Sequence, residues 1–370
     1  MKILYLNYEF PPVGGGASPV SYEIARRYVA IGHEVRVVTM SFGDLPTYEV
    51  KEGIHIYRVK CLRTKPNICY PYEQGSYLLS AMTFLKQHLK HYSYDICHCH
   101  FLIPTGILAY WVKKNFHVPY VITIHGSDVP GYNPDRFQFL HRLTPPLLRR
   151  IIKHSEKIIS PSIYLKKLLL QRVGDFEDKI VFIPNGIDPN VYLPMSKKPI
   201  IFSSGRLLAR KGFQYLIQSV GKEDMGFEVH IAGDGPMMPT LVQLAKKSKT
   251  KIVLHGWLDN TSEKYKYLLG QASIFALVSA KENASISLLE AMSAACVVIT
   301  SDVSGCPETV GDAGVKIAPE DPELLQQVLK NLINNPIEIE KLSNLARHRI
   351  IHDYSWTNLT KKYEELLFNT

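Results

Sequence analysis

The stretch Ser279-Ala280-Lys281-Glu282-Asn283-Ala284-Ser285-Ile286-Ser287-Leu288-Leu289-Glu290-Ala291-Met292-Ser293-Ala294-Ala295 decides the fold. An apolar run at 272–278 ends just before it and reads as a buried strand, and Ile286, Leu289, Ala291, Met292 and Ala295 follow at spacings near those of a helix. Glu282 therefore falls in the loop at the strand's carboxyl end, where open parallel sheets bind ligands. Ser285 or Ser287 stands where a helix cap belongs, and the first backbone N–H groups of such a helix attract anions. Glu290 falls further along, on an otherwise apolar face. Taken alone it reads as a salt-bridged core carboxylate, because charged side chains are seldom fully buried unpaired.

Outward from this stretch the same strand–loop–helix alternation repeats. β-rich runs at 2–6, 35–39, 54–59, 95–99, 120–124, 158–160 and 180–183 interleave with helical patterns near 19–31, 76–91, 105–114 and up to about 172. A second series starts at 200–203 and includes the strand and exit Val253-Leu254-His255-Gly256-Trp257. Repeated βα units imply parallel sheets covered on both faces. With 370 residues, length favours two domains over one core. Pro184-Asn185-Gly186-Ile187-Asp188-Pro189, followed by 194–199, is dense in turn residues and marks the linker. The tail at 356–368 places Leu359, Tyr363, Leu366 and Leu367 at helical spacings and reads as an amphipathic helix.

Chemistry-bearing residues gather where strands end. The first strand opens into a loop with Gly14, Gly15 and Gly16 ahead of a helix, and glycines let backbone N–H groups approach an anion closely. As a dinucleotide fingerprint this loop fails, since Pro19 stands where the third glycine belongs. The strand at 35–39 also ends without the acidic residue that holds a ribose. Cys97-His98-Cys99-His100 lies on a strand, so the thiols face one way and the imidazoles the other, and no tetrahedral metal site is expected. His125-Gly126-Ser127-Asp128 follows the strand at 120–124. In the second half Arg206, Arg210 and Lys211 occupy the first loop, and Gly233-Asp234-Gly235-Pro236 the second.

Glu282 and Glu290, with seven residues between them and Ala291-Met292 after, resemble the Glu-x7-Glu motif of glycosyltransferase family 4 (group 1). Ser304-Gly305-Cys306-Pro307-Glu308 is similar to that family's Gly-x-Pro-Glu segment. Gly205-Arg206-Leu207 with Lys211-Gly212 resembles its phosphate-binding motif, and Asn185-Gly186-Ile187-Asp188 its hinge. The motifs come in the family's order and span essentially the whole chain. The resemblance implies the α/β GT-B fold, two Rossmann-like βαβ domains facing each other across a cleft. Residues 1–185 form the acceptor domain, joined by a C-terminal helix at 356–370 that crosses back onto it. Residues 186–199 are the linker and 200–355 the nucleotide-sugar donor domain. It further implies a retaining glycosyltransferase that moves a hexosyl unit from a UDP- or GDP-sugar to a hydroxyl of a glycan or lipid-linked acceptor.

By the same resemblance the catalytic positions are Glu282, His125, Arg206 and Lys211. The two cations meet the leaving diphosphate, His125 a sugar hydroxyl, and Glu282 the sugar. The donor-binding set is Gly15, Gly16, Arg206, Lys211, Gly235, Trp257, Glu282, Asn283, Ala284, Ser285, Ile286 and Glu290, with Glu290 at the ribose. Cations and helix amides at the diphosphate leave no need for a divalent metal, and the nucleotide sugar is a co-substrate rather than a cofactor. The chain departs from the family where Asn283-Ala284-Ser285 replaces Gly-aromatic-Gly and Ala295-Cys296-Val297 replaces small-Gly-x-Pro, which leaves the donor sugar open.

Composition bounds the alternatives. An apolar fraction of 46% with 21% charged residues describes a soluble globular protein, and no run approaches the roughly 18 apolar residues of a membrane span. Six cysteines without a Cys-x-x-Cys pair fit reduced thiols in the cytoplasm. Residues 1–195 carry 23 Lys and Arg against 15 Asp and Glu, whereas the remainder carries 20 against 19. The surplus suits an anionic partner, and no nucleic-acid motif accompanies it. Within it, the stretch at 129–152 sets Arg136, Arg142, Arg149 and Arg150 among Tyr132, Phe137, Phe139, Leu147 and Leu148, as a membrane-surface element would. A cytoplasmic enzyme, peripheral on an anionic membrane face, is the expectation. The competing readings are a nucleotide-sugar-binding protein without turnover and a nicotinamide-dependent oxidoreductase.

Overall fold

Strands buried on both faces of a parallel sheet read as nearly unbroken apolar runs, and Ile3-Leu4-Tyr5-Leu6 is fully buried in such a place. A computed structural model describes residues 1–132 and 144–368, which fall into two compact units. The first comprises Met1–Pro184 together with the chain from Leu359, and the second Asn185–Asn358.

In the first unit the strands are β1 (Lys2–Leu6), β2 (Glu34–Met40), β3 (Tyr48–Lys51), β4 (Ile54–Val59), β5 (Ile96–His100), β6 (Tyr120–Thr123), β7 (Ile158–Ser160) and β8 (Ile180–Phe182). They pair in the order β3-β4-β2-β1-β5-β6-β7-β8, parallel except for the β3–β4 hairpin. Helices α1 (Ala17–Ala30), α2 (Pro71–His88), α3 (Thr105–Phe116), α4 (Pro145–His154) and α5 (Ile163–Val173) connect them. Cys97 and Cys99 face an apolar cluster with Tyr77, Leu108 and Ile122, while the His98 and His100 rings stack on the other side of β5. The alternation expected of that strand is present. The thiols are free, and burial pushes the Cys97 and Cys99 pKa values up.

The second unit holds β9 (Lys198–Ser204), β10 (Glu228–Ala232), β11 (Ile252–Leu254), β12 (Ala272–Leu277), β13 (Val297–Ser301) and β14 (Gly314–Ile317), in the order β11-β10-β9-β12-β13-β14, all parallel. Its helices are α6 (Phe213–Gly221), α7 (Met238–Lys246), α8 (Glu263–Gln271), α9 (Ile286–Ser293), α10 (Cys306–Val310), α11 (Pro322–Ile333) and α12 (Pro336–Arg349). Phe202 and Phe275 on β9 and β12 are fully buried, and a side chain of that size contributes roughly 1.5–3 kcal/mol by leaving water. Asp321 and Asn335 cap α11 and α12 with side-chain oxygens that accept from first-turn amides. The chain enters and leaves this unit side by side. The Ile187 amide donates to the Tyr354 carbonyl at 2.9 Å, and the Trp356 amide to the Ile187 carbonyl at 3.1 Å. A last helix, α13 (Trp356–Phe368), follows with the bounds its periodicity predicts, and Tyr363 on it packs edge-on against Tyr28 of the first unit.

Candidate active site

The strand order of the second unit reverses direction between β9 and β12. In doubly wound sheets the ligand crevice lies outside the carboxyl ends of the two strands that flank this reversal. The loop after β9 carries Arg206, Arg210 and Lys211, and the loop after β12 carries Glu282. The two loops are tied together: the Ala280 amide donates to the Arg210 carbonyl at 2.8 Å, and Lys211 Nζ donates to Glu282 Oε2. Both partners of this ion pair are largely covered, with side chains 15% and 14% exposed. Arg206 is exposed and pairs with no carboxylate among the described residues. Among the described residues the loop after β9 thus holds one cation neutralised by a carboxylate, Lys211, and two exposed arginines, Arg206 and Arg210, with no carboxylate partner.

Two glycines make this approach possible. Gly212, at φ +78°, lets the α6 end of the first loop lie against β12, where an added Cβ would fall 2.2 Å from the Val278 carbonyl oxygen. Gly305 donates its amide to the Glu282 carbonyl at 3.0 Å, and a Cβ there would fall 1.7 Å from the Asn283 carbonyl oxygen. The Gly305 segment therefore supports the Glu282 loop through its backbone. Gly305→Ala is expected to displace residues 282–284, lower turnover at least tenfold and cost about 1–3 kcal/mol of stability. Wild-type kinetics with an unchanged melting temperature would contradict this role.

Glu290 is 3% exposed on α9, where hydroxyl and amide donors surround it, in place of the salt bridge that the residue suggests when taken alone. Among the described residues no cation pairs with it. Tyr192 Oη (3.1 Å) and Asn260 Nδ2 (2.7 Å) donate to Oε1, and Tyr265 Oη (2.7 Å) to Oε2. Burial pushes the Glu290 carboxyl above its usual pKa against these three hydrogen bonds. Tyr265 Oη also meets Ser204 Oγ at 2.8 Å, which links α9 to the end of β9. A carboxylate offers about four acceptor positions. Three are taken by the described residues, two at Oε1 and one at Oε2.

Of the remaining residues expected at the donor, those at 283–286 lie at this switch point, whereas Gly235 and Trp257 follow the neighbouring strands β10 and β11. Ser285 is the N-cap of α9, but its hydroxyl meets the Ser287 hydroxyl at 3.0 Å rather than a backbone amide. Asn283 and Ser285 are buried, and the Ala284 carbonyl accepts from Asn185 Nδ2 at 3.2 Å. Ile286 opens α9. Gly235 stands in the loop after β10, whose Asp234 carbonyl accepts from the Leu207 amide at 2.9 Å. Trp257, beyond β11, is 68% exposed.

The pattern of residues 14–191 matches Glycosyltransferase Family 4, and that of residues 187–349 matches the glycosyl transferases of group 1. The chain belongs to this glycosyltransferase family. An uncharacterised glycosyltransferase of Methanocaldococcus jannaschii is 27% identical over 98% of this chain and 96% of its own length. Among solved structures, sucrose-phosphate synthase from Thermosynechococcus elongatus gives a TM-score of 0.83 at 18% identity, covering 100% of this chain and 98% of that one. HepE of Anabaena, solved with UDP and also with UDP-glucose, gives 0.80 at 16% for its UDP complex, over 100% of both chains. These likenesses show the fold, which is GT-B. As a family 4 glycosyltransferase the chain leaves the nicotinamide reading without support.

The first unit of the glycosyltransferase has its own switch point, between β1 and β5. The loop after β1 carries Gly15 and Gly16. The Gly15 amide is already engaged, donating to Glu9 Oε2 at 3.1 Å, while the space beside Gly16 is open. His125 follows β6, with its imidazole 2.8 Å from His100 Nδ1. Asp128 clamps this corner: Oδ1 accepts from the His125 and Gly126 amides at 3.0 Å each, and Oδ2 from the Leu102 amide at 2.9 Å. The fourth residue of His-Gly-Ser-Asp therefore fixes the first, a role that sequence reading missed. Arg136, Phe137, Phe139 and Arg142 lie outside the described residues. In α4, Leu148 is buried, whereas Arg149 and Arg150 are exposed and donate to the Val173 carbonyl and Tyr110 Oη at 2.8 Å each.

Proposed function

We propose that this glycosyltransferase moves a hexosyl unit, with retention, from a UDP- or GDP-sugar to a hydroxyl of a glycan or lipid-linked acceptor. The observation that carries the reading is the Lys211–Glu282 pair at the switch point, with the exposed Arg206 in the same loop. In the transfer, the bond from C1 to the diphosphate oxygen breaks and its electron pair stays on phosphate. The acceptor oxygen bonds C1 from the same face, and its proton passes to the departing phosphate oxygen. Arg206 offers a planar fork to phosphate oxygens and Lys211 a point charge, while Glu282 faces the sugar as positive charge develops there. These cations do the neutralising that a divalent ion does elsewhere, so chelation with EDTA is expected to leave the rate unchanged. In this reading residues 200–355 hold the donor and residues 1–185 the acceptor.

A panel of nucleotides and nucleotide sugars, read by thermal shift and by slow donor hydrolysis, tests the proposal. The uridine arm comes first because HepE was solved with UDP and UDP-glucose. A donor at a hundred times its Kd adds about 2.7 kcal/mol of stability. Stabilisation without any sugar release would turn the reading to a nucleotide-sugar-binding protein, and no response to any nucleotide would end it.

The basic first half supports an anionic membrane surface as the place of the acceptor, at the cytoplasmic face. No helix among the described residues is long and apolar enough to cross a membrane. Exposed Arg149, Arg150 and Lys153 on α4 are each worth about 1 kcal/mol near an anionic leaflet. Co-sedimentation with anionic but not neutral vesicles, lost as salt rises, is the expected result.

A further inference from the structure

Three imidazoles lie in a column along the carboxyl ends of β5 and β6. His98 and His100 stack at 4.7 Å between centroids, and His100 and His125 at 5.1 Å. His98 and His100 are fully buried, and His125 is partly exposed. His98 is satisfied at both nitrogens, Nδ1 with Tyr28 Oη at 3.0 Å and Nε2 with Thr123 Oγ1 at 2.8 Å. His100 is not. Its Nδ1 lies 2.8 Å from His125 Nε2, while its own Nε2 is buried without a hydrogen-bond partner.

That orphan nitrogen decides which ring donates. Burial pushes all three imidazoles well below their usual pKa, so each carries a single proton at neutral pH. If His125 Nε2–H donated, the His100 proton would have to sit on Nε2 and be stranded in the protein interior. If His100 Nδ1–H donates, the stranded atom is only a lone pair. Orphaned buried N–H donors are rarer and costlier than under-used acceptors. We propose that His100 is a positioning residue that holds the proton of His125 on Nδ1. His125 then acts toward substrate as an Nδ1–H donor, and the atom it meets must be an acceptor oxygen.

The Tyr5 and Phe101 rings pack against His100 and His125 with centroids at 4.8 and 4.6 Å and fix their planes, while Asp128 fixes the His125 backbone. The functional half of the inference rests on the reading that His125 contacts substrate, and the tautomer half does not.

The experiment is 15N–1H multiple-bond NMR on full-length protein labelled at histidine, with the His125 signals identified by their loss in His125→Gln. Nδ1–H at His125 in the wild type is expected, and Nε2–H overturns the proposal even if neither His100 variant folds. His100→Phe keeps the stack but removes the donor and should release His125 toward Nε2–H. His100→Asn places an amide donor near the Nδ1 position and should hold the wild-type form. An unchanged His125 tautomer in His100→Phe also overturns the proposal. Kinetics with a donor identified by thermal shift give the second arm: kcat should fall about tenfold in His100→Phe, with little change in donor KM, and recover in His100→Asn. A tautomer that moves while kcat does not would remove the substrate-contact reading of His125 and leave the tautomer assignment standing.

Discussion

Lys211→Ala is expected to lower kcat at least a hundredfold while the protein stays folded. Losing one preorganised donor to developing charge costs about 3 kcal/mol of barrier. Here the loss is doubled in kind, because Glu282 is left largely covered and without its cation. The double variant Lys211→Ala/Glu282→Gln separates the two effects. It should regain stability relative to Lys211→Ala without regaining turnover. Initial rates at saturating donor, with melting temperatures for both variants, make the check. A Lys211→Ala enzyme with most of its activity would remove the ion pair from the mechanism.

Mild acid is expected to destabilise the first unit well before carboxylates are protonated. Burial lowers the His98 pKa from 6.5 to about 3, so the folded state keeps this ring neutral while the unfolded chain takes up a proton. The stability it contributes is complete above pH 6.5 and is lost as pH falls toward 3. At 1.36 kcal/mol per unit, a fall to pH 5 costs about 2 kcal/mol for this ring alone. His100 and His125 are shifted the same way by burial and add to the loss. Burial raises the Asp128 pKa instead, so this carboxylate returns part of the loss on acidification. The transition assigned to the first unit should drop by about 4–8 °C between pH 7 and pH 5. A flat profile would mean that the column is already hydrated or charged.

The order of elements and the switch-point residues were legible because both depend on local pattern. The strand ahead of Glu282, the helix after it and the tail helix stand close to where periodicity places them. The β3–β4 hairpin was missed because its turn is Glu52-Gly53, both at positive φ, rather than the Asn-Gly or Asp-Gly that announces a two-residue hairpin. Helix α2 begins at Pro71, five residues before its expected start, because its first turn has no apolar period. Its start is fixed instead by buried Glu73, which accepts from the Tyr70 amide at 2.8 Å. The partners of Glu290 were beyond reach for another reason. Tyr192 and Asn260 lie 98 and 30 residues away in sequence, and nothing local marks either as a donor. Tyr192 also falls within 186–199, a stretch read as linker, yet it is buried and its carbonyl accepts from Ser293 Oγ at 3.2 Å.

The paired ends of the second unit make it a cassette. Ile187 and Ser355 form a parallel bridge, and Gly186 lies so close under Trp356 that an added Cβ would fall 2.5 Å from the indole. A segment whose two ends meet can be lifted out or inserted elsewhere with little strain on its host. The cut belongs at Asn185 and after Trp356, not at Ile200. A shorter piece would lose Tyr192 from Glu290, and with it Lys197, whose ammonium ties together the Gly270, Ala272 and Ala294 carbonyls. The second unit of this chain is thus transplantable as one continuous run, closed by its own clasp.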